Sequence, residues 1–258
     1  NSRGVDVTFS GFDCEIEVVT NSRKGDHEIE IYKDLRFSDK FAEDIIAKVR
    51  GMFHNGRQRL NAVPTRQNEH ADVLLTGNAV GSFFQYFAMH TNASYQYMGV
   101  AKAKTGEAIT GADADPLNIR LVPTLDGSTK NAPYDENGVP VTECVLFENG
   151  ICRSYWGSLQ HAHYIGMKDT TSMNNMVVEG GSKTLDELRS MPHIEITDFS
   201  AFDMDAVSGT CGGEIRLAYE SDGTTSHPTT SGSLSARYDD VLKNLTFSKE
   251  TQQLNNRV

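Results

Sequence analysis

Residues 132–150 read APYDENGVPVTECVLFENG and carry the clearest structural signal in the chain. Asn137-Gly138 and Asn149-Gly150 are strong tight-turn pairs, because asparagine and glycine accept the left-handed backbone conformation that such turns need. Apolar residues occupy much of the interval from Val141 to Phe147. The stretch therefore predicts short strands joined by tight turns, with a hairpin reversal at Asn149-Gly150.

The remainder of the chain after Leu117 has the same character, since short apolar runs of strand length alternate with turn residues. Strands are predicted at 119–123, 141–147, 194–199 and 215–219. Short helices are predicted at about 158–165, 184–190 and 238–245, the second with a capping arrangement at Ser182, Thr184 and Asp186-Glu187. We therefore predict an α+β fold dominated by antiparallel sheets.

The amino-terminal part begins with residues of alternating polarity. Residues 5–32 alternate at period two around a polar segment at 21–25, which predicts a β-hairpin or meander. Asp39 is a good N-cap for a helix of about four turns ending near Asn55-Gly56. Its apolar stripe consists of Phe41, Ile45, Ile46 and Val49.

A strand, a turn and a helix follow in immediate succession. Residues 71–75 predict a buried strand, Gly77-Asn78 provide the turn, and a helix is predicted from Ala79 to about Tyr97. Phe83, Phe84 and Phe87 form an apolar stripe on this helix, which we interpret as core packing against a sheet.

Length and composition limit the possible classes of protein. The 258 residues suffice for one or two globular domains. A formal net charge of −11 with scattered basic residues argues against direct nucleic-acid binding. No apolar run approaches the roughly 18 residues of a membrane helix, and the longest candidate, 79–89, contains Gln85. We expect a protein that binds neither nucleic acid nor membrane.

The four cysteines and the amino terminus bear on the compartment. The cysteines form no CxxC pair and are too sparse for a disulfide framework, so we expect reduced thiols in a cytoplasmic protein. The chain opens without a signal peptide. It also opens without an initiator methionine, so we expect a fragment or a processed product.

Three blocks of sequence, in this order, resemble the TldD/PmbA family. The middle block is the most specific and comprises residues 132–140, 145–150 and 154–166. The third block is Gly181-Ser182-Lys183-Thr184-Leu185-Asp186-Glu187-Leu188. Asp198-Phe199-Ser200 and Ser231-Gly232-Ser233-Leu234 resemble the family's next two landmarks. The resemblance covers residues 1–258 as the family's carboxy-terminal region, with a possible subdivision near 115 and the family's amino-terminal domain absent before residue 1. It implies strongly bent antiparallel sheets with a few packed helices.

The resemblance also implies where a zinc site would lie. Peptidase members of the family carry His-Glu-x-x-x-His on the helix after the buried strand, with both imidazoles facing one way to bind zinc and the glutamate activating water. In this chain Gln85, Tyr86 and His90 occupy those positions. An amide is a poor zinc ligand and a phenol is a poor base at neutral pH. The motif is degenerate, and we expect no catalytic residue, metal ligand or cofactor here.

The family's third ligand is a cysteine near the carboxy terminus. Cys211-Gly212-Gly213 is similar in composition but precedes the Ser231 landmark, so we do not assign it that role. The resemblance favours a non-catalytic subunit of a peptide-processing protease, as a homodimer or as a heterodimer with a TldD-like zinc-bearing paralogue.

Two alternatives stay open at this point. The chain is an active zinc peptidase if His90 combines with His161 or His163. It is a peptide-binding module if it uses an exposed sheet edge.

Overall fold

The structure is a computed structural model that describes residues 4–38, 42–68 and 70–254. The α+β fold expected from the sequence is confirmed, because helices and extensive sheets both occur and most strand pairs are antiparallel. In chain order the elements are β1 (Cys14–Lys24), β2 (His27–Phe37), α1 (Ala42–Asn61), β3 (Val63–Pro64), β4 (Val73–Leu75), α2 (Asn78–His90), α3 (Ala93–Tyr97), β5 (Ile119–Val122), β6 (Cys144–Glu148), β7 (Ile151–Cys152), α4 (Leu159–Tyr164), β8 (Asn175–Val178), α5 (Leu185–Arg189), β9 (His193–Asp205), β10 (Thr210–Ser221), β11 (Ser226–Thr230), β12 (Ser233–Arg237) and α6 (Tyr238–Val241).

The predicted amino-terminal hairpin is present, but its boundaries differ from the prediction. Strands β1 and β2 pair antiparallel from Cys14 opposite Phe37 to Lys24 opposite His27. Residues 21–24, expected in a loop, belong to β1, and the reversal comes at Gly25, whose φ of 62° suits a tight turn. Residues 5–13, expected to begin the strand, lie outside regular structure.

Helix α1 extends beyond the predicted end at Asn55-Gly56 and stops at Asn61. Gly56 serves close packing there, because a Cβ at this position would lie 2.3 Å from the Ser22 side-chain oxygen on β1. The Asn55-Gly56 pair therefore does not end the helix, and its glycine allows the hairpin to pack closely against α1. The predicted N-cap, Asp39, lies outside the described residues.

Two sheets form the main body. One has the order β3-β11-β10-β9-β4, with β12 also pairing with β10. The short strands at its two ends are parallel to their neighbours, β3 to β11 and β4 to β9. Register shifts between β9 and β10 interrupt the ladder, and such bulges bend strands. The other sheet has the order β7-β6-β5-β8 and is antiparallel throughout.

Helix α2 packs within the principal core, as the aromatic stripe predicts. Phe83, Phe84 and Phe87 are buried there with residues from both sheets. The single helix predicted to Tyr97 is wrong, because the chain breaks after His90. The Thr91 hydroxyl bonds the Phe87 and Ala88 carbonyls, and the side chain of Asn92 then caps the short helix α3.

The three short helices predicted in the carboxy-terminal half occur as α4, α5 and α6, but α6 ends at Val241 and not near residue 245. Thr184 and Glu187 form a capping box at α5, with each side chain bonding the other residue's backbone N–H.

Among the described residues, no helix combines the length and apolar character needed to cross a membrane.

Candidate functional site

An open cleft of about 2740 Å³ lies beside helix α2. Its walls include residues 71–76, 80–85, 173–180 and 244–248. Strand β4 ends one sheet and strand β8 ends the other, so two strand edges border the cleft with no further strand paired to them in the described chain. The cleft therefore offers unpaired backbone groups from two sheets.

Only one of the three motif positions faces this cleft. Gln85 lines it, whereas Tyr86 and His90 are 0% exposed and lie in the core. Side chains five residues apart on a regular α-helix point about 140° away from each other. The expectation that the first and last motif positions face one way is therefore wrong for this helix.

Tyr86 packs in a stack of aromatic rings. Its ring lies parallel to that of Tyr238, with centroids 3.7 Å apart, and meets the edge of His90 at 4.2 Å. The Tyr238 hydroxyl donates to the Phe83 carbonyl at 2.8 Å and so ties the stack to α2. Burial raises the pKa of the Tyr86 phenol above its ordinary value of about 10. Tyr86 is therefore a protonated core residue at neutral pH and unsuited to act as a base.

His90 is neutral and engaged by the backbone. Its Nδ1 accepts a hydrogen bond from the backbone N–H of Lys102 at 3.0 Å, which assigns the proton of the neutral ring to Nε2. Burial, followed by the nearby positive charge of Lys102, lowers the pKa of His90 to about 4. A buried imidazole with its Nδ1 occupied, a phenol and an amide make a donor set that does not fit zinc.

Cys211 belongs to the same core, close to Tyr238. Its pKa is raised to about 11, chiefly by burial, so the side chain is a thiol at neutral pH. A Cβ at Gly212 would lie 2.1 Å from the Leu234 carbonyl oxygen, and one at Gly213 would lie 2.0 Å from the Ala201 carbonyl oxygen. Close strand packing therefore accounts for the Cys-Gly-Gly sequence.

His161 and His163 lie on α4, away from the residues that line the cleft. The Nδ1 of His161 shares a hydrogen bond with the Ser158 hydroxyl at 3.0 Å. Among the described residues, the one group of three potential metal ligands within mutual reach is Glu15, Glu17 and Asp34 on the hairpin. The structure thus does not bring His90 together with either α4 histidine as a three-ligand set.

No sequence pattern marks the charged residues of the cleft wall. Arg189 donates two hydrogen bonds to the Glu195 carboxylate, at 2.9 and 2.7 Å, and the Nε2 of His193 lies 4.0 Å from the same carboxylate. These residues come from α5 and β9 and carry no local motif. The cleft also includes Lys130, which no sequence pattern indicated.

Solved structures share this arrangement of bent sheets and helices. TldE from Thermococcus kodakarensis is 19% identical with a TM-score of 0.73, over 92% of this chain and 57% of that one. A candidate modulator of a DNA gyrase from Thermotoga maritima is 17% identical with a TM-score of 0.74, over 91% and 57%. A similarly described protein from Bacteroides thetaiotaomicron is 17% identical with a TM-score of 0.71, over 95% and 55%.

These neighbours define the class as an α+β protein with the fold seen in TldE, and the chain spans a little over half of their length. The family described as the PmbA/TldA metallopeptidase C-terminal domain matches residues 68–258. The chain therefore belongs to the TldD/PmbA family and is metallopeptidase-related. No curated protein matches it in sequence.

Proposed function

We propose that this chain is a non-catalytic TldD/PmbA-type subunit that helps to enclose a peptide for processing by a zinc-bearing partner. The observation that carries the proposal is the burial of two of the three motif side chains on helix α2. One motif position, Gln85, faces the cleft, while Tyr86 and His90 are sealed in the core by the stack on Tyr238. A chain built this way contributes a wall for the substrate and leaves the chemistry to another subunit.

The unpaired edges of β4 and β8 support a peptide as the ligand of the cleft. Extended peptides bind exposed strand edges through backbone hydrogen bonds, and side-chain pockets then add specificity. In this cleft the partly buried Leu75 and Val178 stand among the unpaired backbone groups. The same observation supports the second candidate function, a peptide-binding module that acts without a catalytic partner.

The partner in this proposal is either a second copy of the chain or a TldD-like zinc-bearing paralogue. The resemblance to TldE covers 92% of this chain at 19% identity and is a resemblance of fold. The proposed setting is the cytoplasm, without direct contact to nucleic acid.

The test compares the purified chain with and without a zinc-bearing TldD-like partner. We expect less than about 0.1 zinc per chain by elemental analysis after zinc incubation and desalting, because one occupied imidazole retains zinc poorly. We also expect peptide hydrolysis only with the partner present. Peptide capture by the chain alone, with no partner bound, would support the module instead.

A stoichiometric zinc content would contradict the proposal if the chain alone also hydrolysed peptides and His90→Asn abolished both properties. His161→Asn is the matched control, because it removes an imidazole from α4, outside the core. The two substitutions separate a zinc site on α2 from adventitious binding to a surface histidine.

A further inference from the structure

The cleft contains one basic side chain with an unusual environment. Among the lysine and arginine residues described in its walls, Lys130 lacks a nearby carboxylate: it is partly buried, and its ammonium makes no hydrogen bond or ion pair with the described chain. The other four each lie close to acidic groups: Arg66 to Glu220, Arg189 to Glu195, Arg237 to Asp239, and Lys183 to Asp115 and Glu187.

The loop that carries Lys130 is fixed against β8, the strand at the end of its sheet. The backbone N–H of Lys130 donates to the Ser128 hydroxyl at 3.1 Å, and that hydroxyl donates to the Asn175 side-chain oxygen at 2.5 Å. Asn175 is the first residue of β8, and its amide bonds Asn131 at 3.1 Å. These hydrogen bonds hold the Lys130 backbone next to the amino-terminal end of β8, the strand whose unpaired edge borders the cleft.

The electrostatic environment favours an anion at this point. Burial, and secondarily the positive charge of Arg36, lower the pKa of the Lys130 ammonium below its ordinary value. A partly desolvated charge without a partner is unfavourable, and a carboxylate hydrogen-bonded to it relieves that cost. A peptide that pairs antiparallel to β8 ends with its carboxyl terminus at the Asn175 end, beside Lys130.

We propose that Lys130 binds a carboxylate of the peptide in the cleft, so that the site selects peptides by an anionic group near the carboxyl end. This inference rests on the proposed peptide-enclosing function. The carboxylate is either the chain terminus or an acidic side chain next to it, and both make the same charge-assisted hydrogen bond with an ammonium.

The experiment measures binding of a short Ala/Val/Ser peptide, with a neutral dye at its amino end, by fluorescence anisotropy. Three forms are compared: a free carboxyl terminus, a terminal amide, and a terminal amide preceded by glutamate. We expect one or both carboxylate forms to bind about tenfold more tightly than the plain amide. A preference limited to the first form identifies the chain terminus, and a preference that includes the third identifies a side chain.

Substitutions connect this preference to Lys130. Lys130→Met should bind all three forms equally, with the affinity that the original chain has for the plain amide. Lys130→Arg should retain most of the preference for a carboxylate. Lys168→Met is the matched control, because it removes the same charge from an exposed position outside the cleft, and it should leave the preference unchanged.

Three results would count against the proposal, and they have different meanings. Equal binding of the three forms by the original chain overturns the role of Lys130 and leaves a peptide-binding cleft in place. Absence of binding for every form, with and without a zinc-bearing partner, overturns the proposed function together with this inference. A preference that survives in Lys130→Met also overturns the assignment, because another group must then hold the carboxylate.

Discussion

At the scale of single residues, His90 shows how burial changes an ionisable group. A histidine in the unfolded chain has a pKa near 6.5, whereas His90 in the fold has a pKa of about 4. Between these values the unfolded chain binds the extra proton and the folded chain does not. The contribution of His90 to the free energy of unfolding is therefore complete above pH 6.5 and is lost as pH falls toward 4.

We predict that this loss amounts to about 2–3 kcal/mol. His90→Asn keeps an acceptor for the Lys102 N–H and has no titratable group, so its stability should fall less over the same pH interval. Urea unfolding of both proteins at several pH values measures the difference. His161→Asn is the control, and a parallel pH profile for His90→Asn and the original chain would refute the prediction.

At the scale of secondary structure, strand β10 depends on the absence of side chains at two adjacent positions. We predict that Gly213→Ala lowers the free energy of unfolding by at least about 2 kcal/mol, since its Cβ would lie 2.0 Å from the Ala201 carbonyl oxygen on β9. Gly11→Ala, where a Cβ meets nothing within 4 Å, should change stability by less than about 0.5 kcal/mol. Equal denaturation midpoints for the two variants would argue against close strand packing.

The sequence predicted elements whose signals are local. The turn at Asn149-Gly150 and the capping box at Thr184 depend on neighbouring residues only, and both occur in the structure. The end of α1 was misplaced because Gly56 responds to Ser22, which is distant in sequence. The pairing of Leu75 on β4 with Ile196 on the neighbouring strand β9 likewise has no local signal, because the two residues are far apart in sequence.

The sequence placed the three motif positions on the helix after β4, but it did not indicate which of their side chains face the cleft. Family resemblance located Gln85, Tyr86 and His90, and the structure then separated one cleft residue from two core residues. That separation depends on the ring of Tyr238, which is far along the chain and directly follows β12, a strand that pairs with β10. Lys130 was missed because an isolated lysine in a polar loop is ordinary until its surroundings are known.

At the scale of the whole molecule, we predict a dimer in solution, because an open cleft encloses a peptide only when a second subunit covers it. Light scattering at micromolar concentration should give twice the 28.4 kDa of one chain, alone or after mixing with a zinc-bearing partner of similar size. A mass of one chain under both conditions would contradict the enclosing role. Raising the salt concentration tests whether the net charge of −11 opposes self-association.

The two strand edges beside the cleft also affect the behaviour of the folded protein in concentrated solution. Unpaired edges are templates for aggregation, and proteins commonly protect them with charge, short length or a cover. Here β4 has three residues and β8 has four, and both border a recess that the segment 244–254 also lines. Because both edges border a recess, a slender peptide can reach their backbone groups. The sheet edge of another folded molecule is too wide to enter and pair with them.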